Sequence, residues 1–309
     1  MSRLSLAMRS WNSAWHDLWG DSSLPCGYRG CVPARHSWRG IRRPSPSVSL
    51  RGVRYCRTEC LERGLSEILG STQALAQPVS RAAHRVPLGL LLLSRQQLTA
   101  DQLRAALDAQ RESVRNEGPN SRSKKIGVWL QEMGFVTEPQ VTAALARQWS
   151  CPVLQAPAMA ITANRFPPIP ALLLESFQMI PVELVESTGN LLMAFSQGID
   201  YSVLYAIEQM LGYHTEACLV SQGTLQKSLQ ALARRRGAGD VVFDRTKDAA
   251  ECVRIIGSYS AKVRAEEVRV TRCGDHLWVR LERPRQDAVT LLLRAPETSA
   301  PFPVLSSQS

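Results

Sequence analysis

A 24-residue pattern occurs twice in this chain, as Pro87 to Gln110 and again, 38 residues later, as Lys125 to Gln148. Leu88-Gly89 aligns with Ile126-Gly127, Leu92 with Leu130, and Leu98-Thr99 with Val136-Thr137. Leu103 aligns with Val141, Ala106-Leu107 with Ala144-Leu145, and Gln110 with Gln148. Each copy opens with a short apolar helix near its glycine. Then comes Thr99-x-x-Gln102 or Thr137-x-x-Gln140, the Ser/Thr-x-x-Glu/Gln capping box that starts a second helix. In that helix Leu103 with Leu107, and Val141 with Leu145, are four residues apart and share one face. The pattern predicts tandem helical hairpins, each with one apolar side. The turn formers of Asn116 to Ser121 predict a surface loop between them.

Beyond the repeat the period changes. Met179-Ile180-Pro181-Val182 and Leu191 to Phe195 read as two strands joined by a turn at Glu186 to Asn190. Gly198-Ile199-Asp200 opens a helix over Tyr201 to Leu211 that stops at Gly212. A strand over Thr215 to Val220 follows, then a helix capped by Ser221 and ending in Arg234-Arg235-Arg236, where positive charge suits the helix end. From Asp248 the pattern gives one helix, through Val253, Ile256 and Val263, and three strands: Glu267 to Val270, Leu277 to Leu281 and Val289 to Leu293. Gly274-Asp275 forms a hairpin turn between the first two.

The fold class expected is therefore α+β: tandem helical hairpins, a small α/β domain and a C-terminal αβββ domain behind a disordered N-terminal tail. The domains are residues 1–80 (a disordered or mis-called extension), 81–236 (helical repeat 87–148, α/β part 151–236), 240–296 and a tail, 297–309. The extension holds Trp11, Trp15, Trp19 and Trp38 and half of the cysteines, with no sustained period. Cys26 with Cys31 and Cys56 with Cys60 suggest zinc, but the spacings are neither C-x2-C nor a common ribbon pattern, and the reading favours no metal. Cys151, Cys218, Cys252 and Cys273 stand singly in apolar settings, as buried thiols do.

The net charge of +10 divides as +6 over residues 1–80, +3 over 81–236 and +1 over 237–309. A near-neutral folded body lacks the electrostatic footprint of a nucleic-acid protein. The apolar run Val86 to Leu93 is eight residues, against about 20 for a membrane helix, and Leu4 to Met8 is too short for a signal-peptide core. These features predict a cytoplasmic protein without a transmembrane segment.

The paired Leu-Gly-x-x-Leu motifs, with their Ala-Leu pairs and terminal glutamines, resemble the tandem motif in the N-terminal domain of type II secretion and type IV pilus assembly ATPases. The likeness runs over residues 85–235. Ala265 to Val270 and Gly274 to Arg280 are similar to the small domain that precedes the motor in those ATPases. In some members the motifs bind cyclic di-GMP, leucines against the guanine faces and an arginine at the first motif position against each guanine edge. The resemblance implies a site at Leu88, Gly89, Leu92, Leu98, Leu107, Gln110, Lys125, Ile126, Gly127, Leu130, Gly134, Leu145 and Gln148. The chain departs from the pattern at Pro87, where the arginine belongs, at Gln96, where the second glycine belongs, and at Lys125, which keeps charge but not the planar fork of arginine. Arg85, two residues upstream of Pro87, can stand in. Two outcomes stay open, a retained dinucleotide site and a repeat that is now a packing unit.

The phosphate-loop signature of the motor is not found in these residues. None of the five lysines follows a glycine, so the chain has no Gly-Lys-Ser/Thr phosphate loop. His16, His36, His84, His214 and His276 stand alone, and no nucleophile motif or metal-protease helix occurs. The chain is expected to be non-catalytic and to need no cofactor beyond a cyclic di-GMP ligand. By the resemblance, its partner is a secretion or pilus machinery protein, such as a motor ATPase or an inner-membrane platform component.

Overall fold

The computed structural model describes residues 26–31, 47–70, 85–117, 124–155, 166, 168–235 and 240–295. The elements, in order, are β1 (Val48–Leu50), β2 (Val53–Tyr55), α1 (Thr58–Gly70), α2 (Leu88–Ser94), α3 (Ala100–Glu117), α4 (Ile126–Glu132), α5 (Glu138–Trp149) and α6 (Ala171–Ser176). There follow β3 (Met179–Val185), β4 (Asn190–Phe195), α7 (Tyr201–Leu211), β5 (His214–Leu219), α8 (Gln222–Arg235), β6 (Asp240–Phe243), α9 (Ala249–Val263), β7 (Glu267–Cys273), β8 (His276–Arg283) and β9 (Gln286–Arg294). The α+β class holds. The N-terminal tryptophans, the 297–309 tail and Arg236 lie outside the described residues, as does most of the expected surface loop. Its first two residues, Asn116 and Glu117, complete the last turn of α3.

The chain divides into two compact units, one of residues 1–75, 243–270 and 279–309, the other of residues 76–242 and 271–278. In the second unit the repeat folds as read. Thr99 and Thr137 both close capping boxes: the Gln102 side-chain oxygen accepts from Thr99 N at 2.9 Å and the Gln140 oxygen from Thr137 N at 2.7 Å. The two hairpins interlock, because α2 packs on α5 and α3 on α4. The motif glycines permit the tight packing within each copy. A Cβ at Gly89 would lie 2.7 Å from the Leu103 side chain, and one at Gly127 would lie 3.1 Å from Val141, its equivalent.

The α/β part carries a three-stranded sheet ordered β3-β4-β5. β3 and β4 pair antiparallel, with an irregularity beside Pro181, where a residue without an N–H is tolerated. β4 and β5 run parallel, and α7 makes the crossover between them. Asp200 caps α7 by accepting from Ser202 N at 2.9 Å, and Gly212 ends it in the left-handed region, φ 75°. Met193, Phe195, Ile207, Met210 and Leu219 form the core.

The other sheet differs most from the sequence reading. Three C-terminal strands were expected; among the described residues the sheet has six, ordered β2-β1-β7-β8-β9-β6. β1 and β2 come from the stretch set aside as an extension, and β1 pairs parallel with β7, Leu50 opposite Val268. Strands of three residues carry too little alternation to be read, and a partner more than 200 residues away leaves no local signal. α1 lies against α9 where Gly257 lets them close: a Cβ there would stand 2.6 Å from a Glu62 carboxylate oxygen. Leu61 and Leu65 of α1 are fully buried. In the unit that holds residues 1–75 the thiols of Cys26, Cys31, Cys56 and Cys60 converge, a meeting that the sequence reading did not foresee. Cys218, Cys252 and Cys273 are buried as expected, whereas Cys151, just beyond the left-handed turn at Ser150, is only half-buried. Among the described residues no helix is long and apolar enough to cross a membrane.

Candidate functional site

The interlocked hairpins and the α/β part of the same unit enclose a cleft of about 1250 Å³. Of the residues singled out by the motif, Arg85, Leu88, Leu107, Gln110, Lys125, Ile126, Gly127, Leu145 and Gln148 line it. Gly89, Leu92, Leu98, Leu130 and Gly134 do not. Leu92, Leu98 and Leu130 are buried in the hairpin core, and Gly89 faces Leu103. Gly134 occupies the turn after α4 at φ 72° and serves the backbone.

The paired glutamines have a reciprocal role that spacing alone does not show. Gln110, ending the first copy, donates from Nε2 to the carbonyl of Lys124 at 2.6 Å, just before the second copy starts. Gln148, ending the second, donates to the carbonyl of Val86 at 2.8 Å, just before the first. Each copy thus holds the other's opening residue in place, and the starts of α2 and α4 become related positions on the cleft wall.

The two cations at those starts abut one loop. Lys125 Nζ donates to the carbonyl of Gln197 at 2.9 Å. The residue is partly exposed, yet desolvation in the cleft lowers its pKa, against the opposing charge of Asp200. Arg85 lays its guanidinium over the Trp149 ring, 3.7 Å from the centroid, and lies 5.7 Å from the Tyr201 ring. Trp149 and Tyr201 are themselves 6.0 Å apart and tilted by 40°. Gly198 backs the indole. It has φ 112°, and a Cβ there would sit 3.0 Å from the Trp149 ring. The indole N–H is buried without a partner among the described residues.

Two acidic residues of the cleft are engaged in structural bonds. A Glu138 oxygen accepts from Gly223 N at 2.9 Å, and Asp200 caps α7. Gln222 accepts from Ser196 Oγ at 2.9 Å. Trp149, Tyr201, Gln197 and Asp200 were not foreseen as site residues. Trp149 follows Gln148 directly, so its place at the end of the repeat was a usable signal. The others reach the cleft only through the fold of the α/β part.

No family model matches the chain, and no curated protein matches it. Solved structures do. The chain is similar to a structure described as MshE with cdg, at 23% identity over 48% of this chain and 99% of that one, with a TM-score of 0.37. It is similar to the N-terminal domain of XpsE in two crystal forms. One is 16% identical over 46% of this chain and 91% of that one, TM-score 0.34; the other is 20% identical over 45% and 89%, TM-score 0.28.

What the cleft can do follows from its chemistry. Arg85 and Lys125 can meet anionic oxygens, the Tyr201 ring lies beside the stacked Arg85–Trp149 pair, and Leu88, Leu107 and Leu145 line apolar wall. Among the described residues the histidines add nothing to it: His214 opens β5 exposed and His276 begins β8.

Proposed function

We propose that residues 85–235 form a cytoplasmic, non-catalytic regulatory module whose cleft binds an anionic ligand with planar bases, cyclic di-GMP being the ligand that the motif resemblance implies. The observation that carries this reading is the convergence of Arg85 and Lys125, each from the start of a repeat, on the Gln197–Tyr201 loop beside an aromatic pair. Arg85 stands close to the place left by Pro87, and stacking fixes its guanidinium while its N–H groups remain in the plane of the fork, available to a guanine edge or a phosphate. Occupancy would then alter contact with a protein partner, for which the secretion or pilus machinery is the candidate.

The test is calorimetric titration of cyclic di-GMP into the full chain, with ATP and GTP as controls. Saturable binding near 1 μM, about −8 kcal/mol, with loss of at least about tenfold in Arg85→Ala and in Lys125→Ala, supports the reading. No heat at high concentration refutes it. That result would favour a second reading, an adaptor that works by protein contact alone. The reciprocal glutamine bonds favour this alternative, since they already give the motif's terminal residues structural work.

A further inference from the structure

Cys26 and Cys31 flank a tight turn in which Cys31 N donates to the carbonyl of Tyr28 at 3.0 Å, and Gly27 N donates to Arg54 O of β2 at 2.8 Å. Cys56 follows β2 directly, and Cys60 lies in the first turn of α1. The fold therefore brings a loop, a strand end and a helix start to one point. The Sγ atoms of all four lie within 4.8 Å of one another. Cys31 to Cys56 is 3.4 Å, Cys56 to Cys60 3.8 Å and Cys60 to Cys31 3.7 Å.

That near-equilateral triangle has a specific meaning. With zinc–sulfur bonds of about 2.3 Å at tetrahedral angles, neighbouring sulfurs stand about 3.8 Å apart. Cys31, Cys56 and Cys60 stand at that spacing and form one face of such a tetrahedron, and Cys26, within 4.8 Å of each, supplies the apex. Disulfides would draw them into two close pairs with the pairs apart, and a cluster of several irons would spread its ligands wider than one ion does. The backbone N–H groups of Cys56 and Tyr28 point at the Cys26 sulfur, an arrangement that suits a thiolate ligand carrying negative charge. The intervals, four residues between Cys26 and Cys31 and three between Cys56 and Cys60, fall in the two-to-four range usual for zinc ligand pairs.

The surroundings are packed as tightly as a rigid site requires. A Cβ at Gly27 would lie 2.2 Å from Val53 and 3.1 Å from the Tyr55 ring, and one at Gly64 would lie 2.4 Å from that same ring. Both glycines let the loop and α1 close over Tyr55 next to the thiols. Cys60 is buried and the other three are half-buried, so the cluster is partly shielded from solvent.

We propose that Cys26, Cys31, Cys56 and Cys60 form a structural tetrathiolate site for one zinc ion, which fastens the loop at Cys26 to the β1-β2 ribbon and α1. β1 and β2 are only three residues long and end one edge of their sheet, and four protein ligands leave no open position for catalysis. The site is separate from the cleft of the other unit and holds whether or not that cleft binds a nucleotide.

The experiment is metal analysis of the full chain purified under reducing conditions, followed by replacement of the metal with Co²⁺. The expected result is about one zinc per chain and, with Co²⁺, the intense visible bands of a tetrahedral thiolate complex together with thiolate charge-transfer absorption. Cys56→Ser with Cys60→Ser should lose the metal, and Cys151→Ser should keep it. Should the double variant fail to fold, the Co²⁺ spectrum of the unaltered chain still decides. Absence of metal together with no Co²⁺ spectrum overturns the proposal, as does finding these four cysteines in disulfides, or iron in place of zinc.

Discussion

Replacing Gly198 with Ala tests whether the wall behind Trp149 is built to its present tightness. Two costs are expected there. At φ 112° an L-residue lies beyond the left-handed well near +57°, and such backbone strain costs about 1–3 kcal/mol. The new Cβ would also meet the indole at 3.0–3.2 Å, and overpacking of this kind costs about 1–3 kcal/mol. Gly212→Ala separates the two: φ is 75° and nothing lies within 4 Å of its Cβ position, so it carries the backbone cost alone, about 1–2 kcal/mol. Equilibrium urea unfolding followed by tryptophan fluorescence should place Gly198→Ala about 1–3 kcal/mol below Gly212→Ala. It should also disturb the Arg85 stack, so cyclic di-GMP affinity, where measurable, should fall in this variant and not in Gly212→Ala. Equal stability losses in the two would refute the reasoning, because they would mean that the indole moves aside freely.

The turn after each first motif helix offers a matched pair. Gln96 holds φ 56° where its counterpart is Gly134 at φ 72°, and Gln96 is exposed, so Gln96→Gly should stabilise by about 0.5–1 kcal/mol and Gly134→Gln destabilise by about 1–2 kcal/mol in the same urea assay. Gln148→Ala and Gln110→Ala each remove one of the reciprocal bonds and should cost about 1 kcal/mol apiece; thermal melts showing no change in either would mean the copies are held by apolar packing alone. Lys125 gives a pH signature. Desolvation depresses its folded pKa, so the charged form is penalised below that pKa, and the penalty is relieved as pH rises through it toward the ordinary value of about 10.4. The stability of the native chain relative to Lys125→Met should therefore improve on going from neutral to alkaline pH, read as the gap between urea midpoints; a gap that widens against the native chain would contradict the assignment.

The repeat was legible because its signals are local. Capping boxes span four residues, apolar positions recur every turn, and Gly212 and Asp200 mark the ends of α7 within their own segment. The cleft was legible only in part. The motif named nine of its lining residues, yet the glutamine bonds join positions 14 and 62 residues apart, and nothing near Gln148 in the chain announces Val86 as its acceptor. Tyr201 was read as a helix residue and nothing more, since its meeting with Trp149 depends on how α7 follows β4. The cysteines were hardest to read. Their spacing was judged against the commonest zinc patterns, whereas what unites them is a ribbon of two three-residue strands that returns Cys56 to the turn at Cys31.

The ligand and scaffold readings of the cleft make the same fold and differ in which side chains the fold needs. Gln110 and Gln148 bond to backbone, so their loss must weaken the hairpins under either reading. Arg85 is different: its contacts in the cleft are to aromatic faces at the rim, and a half-buried cation of that kind contributes only about 0.5–1 kcal/mol to stability. A chain that keeps Arg85 as scaffold should therefore tolerate Arg85→Ala almost without consequence. A chain that keeps it as a recognition element should lose affinity far out of proportion to stability, because a charge-assisted hydrogen bond to a nucleotide is worth about 1.5–3 kcal/mol. Lys125 reinforces the distinction. Its single donated bond to Gln197 can be exchanged for a phosphate oxygen without disturbing the hairpins, and relief of its desolvation by a bound anion would add to affinity. The ratio of binding loss to stability loss at these two cations, measured on one set of variants, separates a receptor from an adaptor built on the same repeat.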